Sequence, residues 1–218
     1  MMLKAVIFDL DGTLIDTTAE IHFIFNELLR LNGFPKRNRK FYKTNIGNGV
    51  EDLLSKSLPE DYDDDISSLL IQVKEIYAEN LNKRSQVYTG IPDVLELLRT
   101  NQVNIGIITN KMHHLAKRCV DKFFQEYEIR TIGAEHLYPR KPDPESALTI
   151  AKDFGHLPSE ILFIGDSSVD IKTAINAGME PIGVEWGNGT LEELSAVGAN
   201  KTFSEVSDLK IFIKTLLN

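Results

Sequence analysis

Short apolar runs alternate along this chain with longer stretches in which apolar residues recur every three or four positions. Residues 3–8 form a run with β-branched members, cut off by Asp9 and Asp11. Such a run predicts a strand buried on both faces, the kind found centrally in parallel sheets. Ile21, Ile24, Phe25 and Leu28 then fall at helical spacing, with Thr17 and Glu20 placed as a capping box and Gly33 and Pro35 as a stop. A second helical pattern, Ile66, Leu69, Leu70, Val73, Ile76 and Tyr77, follows Pro59, and Ile46-Gly47-Asn48-Gly49 reads as a turn between the two. From Ile91 the order becomes regular: a helix with Val94, Leu95 and Leu98, a strand over 103–109, a helix over 115–124 and a strand over 129–133. A helix opened by Asp143-Pro144, a strand over 161–165, a helix over 169–177 and a strand over 181–184 come next. The tail adds a short helix at Leu191, a strand near 201–203 and a last helix carrying Val206, Leu209, Ile213 and Leu216.

Alternating strands and helices predict an α/β fold, a doubly wound, mainly parallel Rossmann-like sheet. The second strand of that sheet does not arrive until residue 103, and strand-to-helix connections usually take about two to six residues. The stretch 16–84 is therefore too long for a loop and reads as an inserted helical domain, leaving 1–15 and 85–218 as the core. No internal repeat or low-complexity segment stands out.

In open sheets of this kind a ligand sits beyond the carboxyl ends of the strands, which turns distant positions into one place. Asp9 and Asp11 end the first strand, Thr109 and Asn110 the strand over 103–109, and Asp166 the strand over 161–165. Residues two apart in extended chain face the same side, so Asp9 and Asp11 can address one site. Two carboxylates about 4 Å apart at an effective dielectric near 20 repel by roughly 4 kcal/mol, so a cation is expected between them. Oxygen-only ligands suggest Mg²⁺ rather than zinc. A hairpin turn at Asp11-Gly12 would need a second alternating strand, and a helical pattern follows instead.

Composition narrows the function classes. With 218 residues and 42% hydrophobic content the chain can build a sizeable core, and its net charge of −8 disfavours nucleic acid as a principal partner. The basic run Lys36-Arg37-Asn38-Arg39-Lys40 reads as a solvated surface of the insertion. Cys119 is the single cysteine, which excludes an internal disulfide and reads as a buried inert thiol. The first apolar run is too short for a signal peptide and no stretch has the length of a membrane span, so no membrane role and a cytoplasmic location are expected. His113 and His114 are adjacent and point to different helix faces, and His22, His136 and His156 have no partners at metal spacing.

Four segments together resemble the signatures of the haloacid dehalogenase superfamily: Asp9-Leu10-Asp11-Gly12-Thr13, Ile107-Ile108-Thr109-Asn110, Arg140-Lys141-Pro142-Asp143-Pro144 and Gly165-Asp166-Ser167-Ser168-Val169-Asp170. Any one is weak, but their order along the core is specific. Within the superfamily the chain is most similar to the phosphoglycolate phosphatase-like branch, in which residues 16–84 would be a mobile helical cap. The resemblance implies hydrolysis of a small phosphorylated metabolite, with phosphoglycolate the first candidate. Asp9 would attack phosphorus and become an aspartyl phosphate. Asp11 would protonate the leaving oxygen and later activate water, a division of labour that suits carboxylate chemistry.

By the same resemblance, Thr109 and the Asn110 amide would hold phosphate oxygens, and Lys141 would balance charge. Asp9, the backbone carbonyl of Asp11 and Asp166 would bind Mg²⁺, with Asp170 orienting that shell through hydrogen bonds. Each residue has a plainer reading: Thr109-Asn110 as a helix cap, Lys141 as a solvated lysine, Asp170 as an acid against a helix dipole. Lys111, read as standing at a helix start, would be unfavourable there unless an anion sits beside it. Gly47-Asn48-Gly49 lies where the family places a cap loop that touches substrate, and Trp186-Gly187-Asn188-Gly189, after a strand, reads as a turn with a packed Trp rather than as a lining of the site. A dehalogenase is disfavoured because that branch lacks an acid at the position of Asp11. The nearest rivals are a phosphosugar mutase and, from another class, a receiver-like phosphoaspartate module.

Overall fold

The structure is a computed structural model and describes residues 3–134 and 137–217. His136 lies outside the described residues. Strand β1, Ala5–Phe8, is wholly buried. Val6 and Phe8 pack into one apolar cluster and Ala5 and Ile7 into another on the opposite face, which is why the run carries no polar alternation. The strand is shorter than the apolar run that announces it.

After β1 the chain makes the short strand β2 (Ile15–Asp16), then helices α1 (Thr18–Leu31), α2 (Arg39–Asn45), α3 (Val50–Ser57) and α4 (Ser67–Asn80), and returns through β3 (Gln86–Val87). β2 and β3 pair antiparallel, Ile15 opposite Val87 and Asp16 opposite Gln86, so the helical segment leaves and re-enters beside one two-stranded ribbon. The capping box expected at Thr17 and Glu20 does not form. Thr17 makes no side-chain cap, and Asp16 Oδ1 accepts the Thr18 N–H at 3.0 Å instead. Glu20 is buried and turned to the returning chain, where its Oε2 accepts the Arg84 N–H at 3.2 Å. Within the basic run, Arg37 is only half exposed and donates to the carbonyls of Ser57 and Leu58, tying the segment before α2 to the end of α3, while its neighbours Lys36, Arg39 and Lys40 are exposed.

The remainder follows the sequence pattern: α5 (Ile91–Thr100), β4 (Asn104–Met112), α6 (His113–Phe123), β5 (Ile129–Ala134), α7 (Glu145–Phe154), β6 (Ile161–Gly165), α8 (Ser168–Ala177), β7 (Glu180–Val184), α9 (Leu191–Ala196), β8 (Lys201–Phe203) and α10 (Val206–Leu216). Six strands form one parallel sheet in the order β5-β4-β1-β6-β7-β8, a doubly wound α/β core. Helices α5, α6 and α10 share a cluster with Val6 and Phe8, whereas α7 and α8 share one with Ala5 and Ile7. One boundary differs in a way that matters. β4 runs on to Met112 with an irregular register after Thr109, so Lys111 sits in the strand's extension rather than at a helix start.

Candidate active site

The register of the central strands builds the site. Phe8 lies opposite Ile107 on β4 and Ile164 on β6, so Asp9 follows β1 within one residue of the level of Thr109 on β4 and of Asp166 after β6. The chain then turns at Gly12, whose φ of +93° suits glycine, and a Cβ there would collide with the Asp166 carboxylate. That close approach lets Thr13 Oγ1 donate to Asp166 Oδ1 at 2.9 Å.

Lys141 reaches the same place from the segment before α7. Its Nζ donates to Asp9 Oδ1 at 2.7 Å and to Asp170 Oδ1 at 2.5 Å, and all three residues are buried. The solvated reading of Lys141 is thereby excluded. Asp170, in the first turn of α8, is held from its other side by Ser167, whose backbone N and Oγ donate to Oδ2 at 3.0 and 2.6 Å. Asn110 fixes Lys141: its Oδ1 accepts the Lys141 N–H at 2.9 Å, and its Nδ2 donates to the carbonyls of Lys141 and Gly47. Both ends of the Asn110 amide side chain are thus engaged by protein, which leaves only its main chain for a phosphate oxygen. Asp143 Oδ1 accepts the Glu145 N–H at 2.9 Å and opens α7.

Asp9, Asp166 and Asp170 each present a carboxylate oxygen within 4.8 Å of the others, all buried. Burial pushes the Asp9 carboxyl up to about 8, against the pull of Lys141 and with a push from Asp170 and Asp166. Asp166 is pushed up to about 7 by burial and by Asp170, although the Asn188 N–H and Thr13 hydroxyl favour its charged form. Lys141 is raised above the ordinary lysine range: burial would lower it, but Asp170 and Asp9 outweigh that. Three carboxylates facing one ammonium leave an excess of negative charge in a low-dielectric pocket. An all-oxygen, over-charged cluster of this kind suits a hard divalent cation. Both oxygens of Asp170 and of Asp166 already accept hydrogen bonds, whereas Asp9 is held by Lys141 through Oδ1.

Asp11 faces the other way. Lys111 Nζ contacts both of its oxygens at 3.1 Å and meets Tyr77 Oη of α4 at 2.6 Å, with the ammonium 4.7 Å from the Tyr77 ring centroid. Lys111 is buried, and the Asp11 carboxylate supplies the counter-charge that burial demands. Its affinity for a proton is raised, since Asp11 and Tyr77 outweigh the opposing effect of burial. Asp9, Asp11, Thr109, Asn110 and Lys111 line one cavity of about 50 Å³ together with Gly47, Gly49 and apolar residues of the helical segment, among them Ile21, Phe25, Val50 and Leu53.

Sequence reasoning missed three participants. Asn188 donates from both its backbone N and Nδ2 to Asp166 Oδ2, at 2.8 and 2.9 Å, and only its place in a turn after a strand hinted at this. Thr13 stood inside the first signature without a role. Tyr77 was one residue of an apolar helical stripe, and nothing local distinguishes it. Trp186 Nε1 donates to the Thr13 carbonyl at 3.0 Å, so that turn does pack against the site.

The same fold and chain length occur in known proteins. The chain is 30% identical over 191 residues to a phosphoglycolate phosphatase of Nitrosococcus oceani, covering 84% of each chain. It is 28% identical over 218 residues to one of Chromobacterium violaceum, covering 97% of each. The crystal structure of a "predicted phosphoglycolate phosphatase" from Haemophilus somnus superposes with a TM-score of 0.87 at 25% identity, covering 98% of this chain and 99% of that one. The sequence profile of the haloacid dehalogenase-like hydrolases matches residues 6–184, from the strand that delivers Asp9 through the strand that follows Asp166. With the profile spanning most of the chain and all four signature segments, the protein belongs to the haloacid dehalogenase-like hydrolase family.

Proposed function

We propose that this hydrolase is a Mg²⁺-dependent phosphatase of small phosphomonoesters, working through an aspartyl phosphate on Asp9. Asp9 Oδ attacks phosphorus while the bond from phosphorus to the ester oxygen breaks, and Asp11 gives its proton to the departing oxygen. Water then attacks the aspartyl phosphate as Asp11 takes its proton, the bond to Asp9 breaks, and inorganic phosphate leaves. Lys141 holds Asp9 in place and offsets charge on the phosphoryl oxygens, and Thr109 with the Asn110 main chain receives those oxygens. Asp9, the Asp11 carbonyl and Asp166 would hold the cation, which supplies charge neutralisation for nucleophile and phosphoryl group. Asp170 and Asn188 keep the carboxylates oriented.

Residues 16–84 serve in this reading as a cap over the site, and α1, α3 and α4 supply the apolar walls of the cavity beside Asp9. Phosphoglycolate is the first substrate to try, because relatives spanning nearly the whole chain carry that activity in their names. The small cavity favours a short leaving group over a hexose, which weighs against the mutase alternative. The convergence of Lys141 Nζ on Asp9 and Asp170 is the single observation that carries the proposal. Phosphate release from a panel of phosphomonoesters, with and without Mg²⁺ after chelation, tests it. Asp9→Asn should fold normally and lose turnover by at least about 10³-fold; near-normal steady-state rates in that variant would exclude Asp9 as the nucleophile.

A further inference from the structure

We propose that Lys111 reads a carboxylate on the leaving group, so that the preferred ester is one whose alcohol carries a carboxylate on the ester-bearing carbon. The inference rests on the phosphatase reading above and assigns Lys111 the recognition of its substrate. Among the described residues lining the cavity, Lys111 is the sole cation, and the walls beyond it are Ile21, Phe25, Val50 and Leu53. Such walls offer no hydrogen bond to a hydroxyl-rich leaving group.

The ammonium is buried, and a buried charge is costly without a counter-charge. In the free protein Asp11 supplies it, through two contacts of 3.1 Å. Those contacts are longer than the roughly 2.7–2.9 Å of a strong charge-assisted bond, so Asp11 is an exchangeable partner. Asp11 must turn to the ester oxygen to serve it, and in doing so it leaves Lys111 without its counter-charge. A substrate carboxylate takes its place, keeps the ammonium paired and releases Asp11 for proton transfer. Tyr77, at 2.6 Å, stays on Lys111 throughout and aims the remaining donors into the cavity. The cavity is small, about 50 Å³, and is also lined by Asp9, Thr109 and Asn110, which receive the phosphoryl group, so only a short leaving group fits beside it.

The test compares kcat/KM for phosphoglycolate and for 2-hydroxyethyl phosphate, in which a hydroxymethyl group replaces the carboxylate, in wild type and Lys111→Gln at saturating Mg²⁺. Wild type should prefer phosphoglycolate by about 30-fold or more, and the variant should shrink that preference to within about threefold, mainly by raising KM for phosphoglycolate. Equal losses on both esters would assign Lys111 to Asp11 alone and overturn the inference, as would a wild type without preference. Should the variant fail to fold by circular dichroism, product inhibition of wild type decides: glycolate must inhibit at least about 30-fold more strongly than ethylene glycol, and equal inhibition rejects the proposal. A wild type that hydrolyses neither ester nor any other in the panel removes the phosphatase reading itself, an outcome distinct from hydrolysis without preference.

Discussion

Two lysines are buried against carboxylates at this site, and the surroundings make them different devices. Lys141 lies 2.7 Å from Asp9 and 2.5 Å from Asp170, and its partners are fixed by strand ends and by the first turn of α8. Lys111 lies 3.1 Å from Asp11, and its second partner, Tyr77, comes from the helical segment rather than the core. Around Lys141 three carboxylates share one ammonium, and Asp9 and Asp166 are pushed up to about 8 and about 7. Around Lys111 one carboxylate faces one ammonium. The first arrangement demands further positive charge and holds its geometry; the second is balanced and can exchange its anion. Identical residue types therefore yield a scaffold in one case and a recognition element in the other, according to the charge left over and the origin of the partners.

The sharpest way to break this contrast is Lys141→Met. It should lower turnover by at least about 10³-fold on every ester, because nucleophile and phosphoryl group both lose their ammonium. Phosphate release at saturating Mg²⁺ measures it, and a loss below tenfold would make Lys141 no more central than Lys111. Asn188→Ala comes next. One of the two donors on Asp166 Oδ2 disappears, so Mg²⁺ affinity measured by titration calorimetry should fall by about tenfold. The preference between phosphoglycolate and 2-hydroxyethyl phosphate should not change, since Asn188 is on the Lys141 side.

The Lys141 side was legible in the sequence and much of the Lys111 side was not. Asp9, Thr109 and Asp166 end apolar runs, so the strand-end rule places them without knowledge of packing. Lys141 and Asp170 needed the resemblance, because a lysine between prolines and an acid in a first helical turn have ordinary local explanations. Tyr77 was hidden for a deeper reason. Its helical stripe predicts burial, and it is buried, but which buried residue faces a lysine from another part of the chain depends on how α4 lies against β4. Thr17 and Glu20 mark the opposite failure: their spacing fits a capping box, yet Glu20 turns to the returning chain at Arg84 and Asp16 does the capping.

A smaller effect separates the two lysines through pH. Asp9 titrates at about 8 in the folded, metal-free protein against an ordinary value of 3.8, so between those values the folded state holds a proton that the unfolded chain releases. Stability is therefore greatest on the acid side and declines as pH rises through that window. The melting temperature of metal-free protein should fall by about 5 °C between pH 5.5 and 8.5. Saturating Mg²⁺ should flatten the profile, since a bound cation replaces the proton. A flat or rising metal-free profile would mean that burial does not hold a proton on Asp9.

Tyr77→Phe should have the smallest effect and probes the Lys111 side alone. It removes the 2.6 Å hydrogen bond while keeping the ring against which the ammonium lies at 4.7 Å. A hydrogen bond to a charged group contributes about 1.5–3 kcal/mol, but Lys111 keeps this one both free and with substrate bound, so most of its loss appears in stability rather than affinity. The melting temperature should fall by a few degrees, and kcat/KM for phosphoglycolate by about threefold, from looser aim of Lys111. The rate on 2-hydroxyethyl phosphate should hardly move, because that ester gives Lys111 nothing to hold. A loss on the neutral ester beyond about tenfold would instead put the Tyr77 hydroxyl in contact with the leaving group, and α4 would then recognise substrate directly rather than through Lys111.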